Sequence, residues 1–266
     1  MPPSAMSICL NGPTQASKLD TIIKPGDILI CKPEAASAFQ IPSVAGRFGH
    51  AVLTIAVPRC IQRASQEGAF LSEVWPDSED ELWAVSIMES TRHDQGLHEG
   101  KLLIHVDRAT GKLKVVAEVV KDSNGVLLRD MVGSLSTQVF QSPAAIREQL
   151  NPHLLAQVLA DMRCEQQANW SWGTAVKAAL RPANVNASDL TQVQKSWSKR
   201  PICTSVPITF WQRFLSKLAD YSTSQGQPVG AMDLIRQWMP VKANRSLPTE
   251  LANALQSAGW TCVKQV

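Results

Sequence analysis

The sequence lacks the features that mark several large classes of protein. No apolar run spans a bilayer, because the longest clean stretches reach only about half of the ~20 residues that a transmembrane helix needs. Its 26 basic and 23 acidic residues give a net charge of +3, and no run of five or more basic residues occurs. We therefore expect neither a transmembrane segment nor a nucleic-acid partner.

The beginning of the chain lacks the pattern of a cleavable signal peptide. The stretch MPPSAMSICLNGPTQASK has no basic start, no continuous apolar core and no small-residue cleavage site. We expect a cytoplasmic protein, or an effector that is exported without a cleavable signal. Residues 1–24 are rich in Pro, Ser, Gly and Gln without any period, which predicts a loose leader.

The sequence also contains no CxxC pair, which excludes the spacing of zinc ribbons and thioredoxin-like redox sites. Its six cysteines are scattered along the chain: Cys9, Cys31, Cys60, Cys164, Cys203 and Cys262. Since a chain without a secretory signal is expected to keep its thiols reduced, each cysteine is either small core filler or a nucleophile.

Short apolar segments dominate the first half of this chain of 266 residues, which is 44% hydrophobic and 18% charged. Such a composition is that of an ordinary globular protein, large enough for one sizeable domain. The apolar segments lie between turn signals and are rich in β-branched residues, which predicts strands. The predicted strands are 28–31, 48–57, 82–92, 100–106 and 112–120.

The second half carries helical signals. Ser142-Pro143 and Asn151-Pro152 are typical of helix starts, and further helices are predicted from about Trp172, from Ser188 and after a cap at Ser246, with Gly259 as a stop. Downstream of Cys203 a long amphipathic helix is predicted from one apolar stripe: Ile208, Trp211, Phe214, Leu215 and Leu218. Strands first and helices later predict an α+β fold.

Three polar residues stand where strands and a helix could bring them together. His50 opens a strand in RFGHAVLTI, Glu89 lies near the end of another in VSIMES, and Cys203 precedes the long helix. Only a thiolate attacks a carbonyl, and an imidazole within reach stabilises it. A carboxylate then orients that imidazole, and backbone N–H groups near the helix start could bind an oxyanion.

Each of the three also has an ordinary structural interpretation. Cys203 could be core filler, His50 could form a hydrogen bond inside the sheet, and Glu89 could face solvent beside Arg92. Pro207 favours a helix that begins near Val206, which weakens the effect of the helix dipole on Cys203.

The order of these pieces resembles the circularly permuted papain-fold hydrolases of the NlpC-like superfamily, in particular the YiiX-like branch. The matching segments are Gly26-Asp27-Ile28-Leu29, Gly49-His50-Ala51-Val52, Met88-Glu89-Ser90 and Cys203-Thr204-Ser205, together with the helical stretch WSWGTAVKAAL. The resemblance implies a permuted papain-like fold in which an antiparallel sheet packs against helices. It implies a catalytic domain over residues 25–225 and leaves 226–266 as a helical C-terminal extension.

The resemblance further implies that Cys203 is the nucleophile, His50 the general base and Glu89 the orienting residue. The expected activity is that of a cysteine hydrolase, an amidase, peptidase or esterase, which forms a thioester on a peptide, amide or acyl substrate. Acyl transfer to a lysine or a lipid, or ligand binding without catalysis, are the alternatives. Trp172, Trp211 and Thr204 are predicted to contact substrate. No metal or organic cofactor is required, and the sequence does not indicate an oligomeric state.

A metal site is the competing hypothesis for a group of histidines and acidic residues. The group comprises His93, His98, His105, Asp94, Glu99 and Asp107. The spacing HDQGLH does not place two ligands on one helix face, which needs i and i+4. We therefore predict a solvated loop there. Asp27 is predicted to hydrogen-bond the turn that precedes its strand.

Overall fold

The computed structural model describes residues 19–33, 49–62, 81–91, 96–106, 113–122, 125–164, 202–243 and 246–263, together with Ser65, Gly68 and Leu71. The helices predicted from Trp172 and Ser188 lie outside these residues, and so do residues 1–18.

The described strands are β1 Ile28–Pro33, β2 His50–Thr54, β3 Arg59–Cys60, β4 Glu81–Thr91, β5 Gly96–Val106, β6 Leu113–Asp122, β7 Gly125–Gln141 and β8 Thr261–Val263. The described helices are α1 Leu19–Ile22, α2 Ala144–Arg147, α3 Pro152–Arg163, α4 Ser205–Ser224, α5 Ala231–Trp238 and α6 Pro248–Ser257. No helix among the described residues combines the length and the apolar character needed to cross a bilayer.

Six of the strands form a closed antiparallel ring. Their hydrogen-bonded order is β1–β2–β4–β5–β6–β7, and β1 pairs with β7 as well. Leu29 is opposed to Val52 on one side and to Val139 on the other, so β1 is paired along both edges. β3 and β8 are attached to β4 and β7. The predicted α+β class is confirmed, with a curled antiparallel sheet and several helices.

The two faces of the curled sheet contact two different apolar clusters. The inner cluster takes residues from all six ring strands and therefore fills the ring. The outer cluster joins the other face of β1, β2 and β4 to α3, α4, α5 and α6. Because side chains alternate along a strand, Leu29 and Cys31 belong to the inner cluster while Ile28 and Ile30 belong to the outer one. This double burial explains why β1 is a continuous apolar run.

Helix α4 covers the outer face of the ring. Its predicted stripe is confirmed as buried: Ile208, Trp211, Phe214, Leu215 and Leu218. The helix begins at Ser205, one residue before Val206, which confirms the predicted start near that residue. Pro207 therefore lies in the first turn, where a missing N–H breaks no helical hydrogen bond.

The other described helices confirm some predicted boundaries and shift others. Asn151 caps α3 by accepting a hydrogen bond of 2.8 Å from the backbone N–H of His153, as its Asn-Pro start predicts. The residue preceding α6 is Leu247 instead of Ser246, and Gly259, with φ of +83°, follows the helix as predicted. The C-terminal extension is not wholly helical, because β8 pairs with the end of β7.

Part of the predicted leader belongs to the folded domain. Residues 19–22 form α1, and Leu19 and Ile23 are buried in the inner cluster. The ordered structure therefore begins before residue 25, because these two apolar side chains cover the ring.

A buried ion pair holds the turn that precedes β1. The Asp27 carboxylate accepts a hydrogen bond of 2.8 Å from the backbone N–H of Lys24, which confirms its predicted role in the turn. Arg147 Nη2 lies 2.7 and 2.6 Å from its two carboxylate oxygens. Burial raises the pKa of Asp27 to about 6, although Arg147 acts in the opposite direction.

Candidate functional site

His50 and Glu89 meet on the inner face of the ring, where β2 and β4 lie side by side. His50 shares its face of β2 with Val52, and Glu89 shares its face of β4 with Ile87; both apolar residues belong to the inner cluster. His50 Nε2 contacts Glu89 Oε2 directly. Only 1% of the Glu89 side chain is exposed, against 23% for His50. The solvent-facing interpretation of Glu89 is therefore wrong.

This contact explains an imidazole at the start of a buried strand. Burial alone lowers the pKa of His50, but the Glu89 carboxylate and the neighbouring Cys203 outweigh burial and hold the pKa well above its ordinary value. Burial likewise raises the pKa of Glu89, but attraction to His50 overcomes it and the pKa lies well below its ordinary value. The two groups therefore form a buried ion pair.

Cys203 approaches His50 from the turn in front of α4. Its Sγ lies 3.9 Å from the carbonyl oxygen of Gly49, the residue before His50, and Cys203 is close enough to the His50 imidazole to contribute to the rise of its pKa. Two reciprocal hydrogen bonds brace the turn. The Ile202 N–H donates to Ser205 Oγ at 2.9 Å, and the Ser205 N–H donates to the Ile202 carbonyl at 2.8 Å.

The contact with Glu89 occupies one nitrogen of the imidazole. Glu89 engages Nε2, and Nδ1 is the ring nitrogen that Glu89 does not occupy. A thiol, an imidazole and a carboxylate thus follow one another in a row, the arrangement that nucleophilic catalysis by a thiol requires. The structure brings together the three residues that the sequence analysis selects from positions as far apart as 50 and 203.

A second thiol lies beside the same histidine. Cys31 of β1 is directly opposed to His50 of β2 and is fully buried. Burial raises the pKa of Cys31 to about 11, although His50 partly counteracts this effect. A thiol with that pKa carries almost no thiolate at neutral pH, so Cys31 is an inert neighbour of the site.

The predicted substrate residues are not supported at the two positions that the structure describes. Trp211 is fully buried in the outer cluster, where its indole N–H donates to the Gly26 carbonyl at 2.8 Å. Thr204 is also fully buried, and its hydroxyl donates to the Ser246 carbonyl at 2.6 Å. Both side chains face the body of the protein, so neither is exposed to contact a substrate in this structure. Trp172 lies outside the described residues.

Two further ionisable residues extend the site into the ring. His98 Nε2 lies 2.9 Å from Glu89 Oε1 and 3.1 Å from Glu118 Oε1. The Glu118 side chain is 5% exposed, and its carboxyl is also within hydrogen-bond range of Glu89.

The predicted solvated loop is wrong for His98 and Glu99, because both belong to strand β5. His93, Asp94 and Asp107 lie outside the described residues. Glu118 was not selected from the sequence at all. The signal that could have identified it is its position in KVVAEVV, among valines and an alanine. An isolated glutamate in such a strand requires a polar partner if its face of the strand is buried.

The same cluster has the donors that a cation would need. Glu89, His98 and Glu118 each offer one ligand atom, and these atoms lie within 4.8 Å of one another. Two carboxylates and an imidazole suit several divalent metals. His98 Nε2 is, however, hydrogen-bonded to Glu118 Oε1 at 3.1 Å and lies at ion-pair distance, 2.9 Å, from Glu89 Oε1. One hydrogen bond and one ion pair therefore account for the cluster without a metal.

A groove of about 980 Å³ lies among the helices, away from this site. It runs between α2, α3, α4 and α5, and its lining includes Leu154, Tyr221 and Trp238. None of the thiol, imidazole and carboxylate of the candidate site lines it. The groove is therefore separate from the surface beside Cys203.

Searches with the whole chain found no matching family model, no matching curated protein and no matching solved structure. The geometry of the site itself therefore carries the functional argument.

Proposed function

We propose that this protein is a cysteine-dependent hydrolase that cleaves an amide or ester bond through a thioester intermediate. Cys203 is the nucleophile, His50 the general base and acid, and Glu89 the residue that orients His50. The observation that carries the proposal is the burial of a glutamate against a histidine that also has a cysteine beside it. Burying two such charges has a large desolvation cost, which a structural core would avoid with apolar residues.

The first half of the proposed reaction forms the thioester. The raised pKa of His50 favours a resting imidazolium that already holds the Cys203 proton, and the thiolate left beside it attacks the substrate carbonyl to form a new S–C bond. Backbone N–H groups of the turn at Cys203 are the candidates to bind the oxyanion. As the C–N or C–O bond breaks, His50 returns the proton to the leaving amine or alcohol, and Glu89 stabilises the imidazolium between these transfers.

The second half releases the acyl group. His50 removes a proton from water, the resulting hydroxide attacks the thioester, and the S–C bond breaks to give a carboxylic acid and the free thiol. A lysine amine or an alcohol in place of water would make the same site an acyltransferase. We take hydrolysis as the primary function, and the products of the assay below identify the acceptor.

The sequence order of the three residues also supports a relation to the permuted papain-fold hydrolases. In that family the histidine strand precedes the cysteine helix, and here His50 precedes Glu89 and Cys203 in the same way. We propose this family as the origin of the fold, and a cytoplasmic location or signal-independent export as its setting.

Alkylation by iodoacetamide as a function of pH tests the nucleophile without a known substrate. At about pH 6.5 an ordinary thiol is only about 1% ionised, so pairing with His50 is expected to accelerate alkylation of Cys203 by up to about 100-fold. Mass spectrometry of the Cys203 peptide measures the rate, and the exposed Cys164 is the reference thiol within the same molecule. His50→Ala is expected to abolish the difference.

A panel of fluorogenic amides and acyl esters then tests turnover. The wild-type protein is expected to release product and to show an acyl adduct on Cys203, while Cys203→Ala shows neither and Cys164→Ala shows both. Alkylation of Cys203 at the rate of Cys164, unchanged in His50→Ala, would overturn the proposal in favour of a protein that binds a ligand without catalysis.

A further inference from the structure

The polar contacts of Glu89 continue beyond His50. One carboxylate oxygen of Glu89 faces His50, and the other lies 2.9 Å from His98 Nε2, which is itself 3.1 Å from Glu118 Oε1. These residues come from four consecutive strands of the ring, β2, β4, β5 and β6. A chain of ionisable groups therefore runs from the start of α4 into the ring.

The backbone register brings His98 and Glu118 to Glu89. His98 is the residue directly opposed to Glu89 across β4 and β5, and residues so opposed have neighbouring side chains on one face. Glu118 of β6 is opposed to Leu102, four residues along β5 from His98. Its carboxyl must therefore reach diagonally along β5 to meet the imidazole.

Gly100 provides the space that the Glu118 side chain needs to reach the His98 imidazole. It lies between His98 and Leu102 on the same face of β5. A Cβ at Gly100 would lie 3.0 Å from Glu118 Oε1 and 3.7 Å from His98 Nε2. An alanine there would thus press on the carboxylate oxygen that contacts His98. Gly100 does not have a positive φ, so its backbone conformation does not require a glycine. Its structural role is to leave space for the Glu118 carboxyl.

The surroundings shift the pKa values of the two carboxyls in opposite directions. Burial raises the pKa of Glu118, and the nearby negative charge of Glu89 raises it further, while the hydrogen bond from His98 opposes both effects. The pKa of Glu89 is shifted the other way by its two histidines. Glu89, next to His50, is therefore the more readily ionised of the two carboxyls.

We propose that His98 and Glu118 are positioning residues of the candidate site, which hold the Glu89 carboxylate in the orientation that His50 needs. The inference rests on the proposed function, because it concerns the same Cys203–His50–Glu89 row. His98 Nε2 faces the Glu89 carboxylate at 2.9 Å, and Glu118 fixes the ring of His98 through a hydrogen bond to the same nitrogen. The groups that face Glu89 are His50, His98 and Glu118, with the thiol of Cys31 nearby.

Two variants disturb the contact without touching the proposed catalytic residues. His98→Leu removes the donor, and Gly100→Ala adds one methyl group against the Glu118 carboxylate. A less firmly held Glu89 stabilises the His50 imidazolium less. We therefore expect alkylation of Cys203 at about pH 6 to slow by about 10-fold in each variant, an effect typical of residues that orient a functional side chain by contacting it. We also expect the His50 imidazole, followed by NMR, to titrate about one pH unit lower, the shift equivalent to that factor.

Two further variants separate positioning from a general structural effect. Glu118→Gln keeps an acceptor for His98, so Cys203 in this variant is expected to react like Cys203 in the wild type. If the site simply required the negative charge of Glu118, the reaction would be slower. Glu99→Gln changes the neighbouring residue on the other face of β5, where Glu99 pairs with Arg163 of α3, and is expected to leave both measurements unchanged. Circular dichroism identifies the variants that fold.

The possible outcomes distinguish this inference from the proposed function. If wild-type Cys203 is no more reactive than Cys164, the proposed function fails. If wild-type Cys203 is reactive and folded Gly100→Ala and His98→Leu match it in rate and in His50 titration, the positioning role fails. Loss of the enhanced reactivity on treatment with EDTA, reversed by zinc, would also overturn it, because the cluster would then be a metal site.

Discussion

Cys31 and His50 are directly opposed across β1 and β2, so two thiols flank one imidazole. The two cysteines differ in their surroundings. Cys31 lies in the interior of the ring with no exposed surface, whereas Cys203 lies in a turn and is partly exposed. Both thiols lie close to His50, so closeness to the histidine alone does not distinguish them. The proposed nucleophile, Cys203, differs from the inert Cys31 by its position at the mouth of the ring.

Cys31 is expected to resist iodoacetamide in the native protein at pH values at which Cys203 reacts, and to react once the chain is unfolded in guanidinium. Its thiol has a pKa of about 11 in the folded state against an ordinary value of 9.0. The unfolded state therefore loses this proton first, and the free energy of unfolding should fall as the pH rises from about 9 to about 11. Cys31→Ala should remove that part of the slope, as measured by urea unfolding. Rapid native alkylation of Cys31 would contradict the buried position.

The His50–Glu89 pair is expected to stabilise the fold most between pH values of about 4.5 and 6.5. The lowered pKa of Glu89 gives stability above its ordinary value of 4.5, which is lost as the pH falls. The raised pKa of His50 gives stability below its ordinary value of 6.5, which is lost as the pH rises through the folded value. Glu89→Gln should lower the free energy of unfolding near pH 6 by about 3 kcal/mol.

Urea unfolding across this pH range measures that effect. The dependence should flatten in Glu89→Gln and stay intact in Glu99→Gln, in which a more exposed carboxylate is changed. An unchanged pH profile in Glu89→Gln would show that the pair is not ionised as described.

Arg147→Met is expected to destabilise the fold by about 3 to 5 kcal/mol near pH 7.5, because it leaves the buried Asp27 carboxylate without its cation. The pKa of Asp27 is about 6 in the native protein and should rise further in the variant. The defect should therefore shrink as the pH falls and Asp27 takes up a proton. Arg236→Met is the matched control, because Arg236 is exposed and lies 3.9 Å from Asp233. A defect of the same size at about pH 5 would contradict the account.

Trp211→Phe is expected to lower the free energy of unfolding by about 1 to 3 kcal/mol, because the buried Gly26 carbonyl loses its donor. The alkylation rate of Cys203 in the folded variant should stay at the wild-type value, since Trp211 supports the core and does not line the site. Tyr221→Phe on the same helix, where the side chain is 56% exposed, should change neither quantity. A selective loss of reactivity in Trp211→Phe would restore Trp211 to the site.

The parts of the fold that the sequence predicts are those with a strong local signal. The apolar runs of β1, β2 and β4 and the stripe of α4 give each element a regular period, and the structure confirms them. β7 was missed: its sequence GVLLRDMVGSLSTQVFQ carries two glycines and several polar residues that interrupt any alternation. It is a strand because it pairs with β6, β1 and β8, and pairing between distant segments is not visible in a local pattern.

The candidate site likewise contains some residues that the sequence identifies and others that it does not. Cys203, His50 and Glu89 could be selected because each residue type has a chemical role at an element boundary. Trp211 was misassigned because an aromatic residue near a cysteine gives no sign of which side of the helix faces the core. His98 and Glu118 reach Glu89 through strand register and through the space above Gly100, which no spacing rule in the sequence expresses.

The ring is closed by backbone pairing between segments that are far apart in the chain, since Cys31 is opposed to Thr137. Cys203 joins the imidazole only when α4 packs on the outside of that ring. During synthesis from the N-terminus, the ribosome adds the sulfur long after the histidine and the glutamate. A nascent chain therefore lacks the proposed nucleophile, and the proposed activity would be silent toward its surroundings until the folding of the chain is nearly complete.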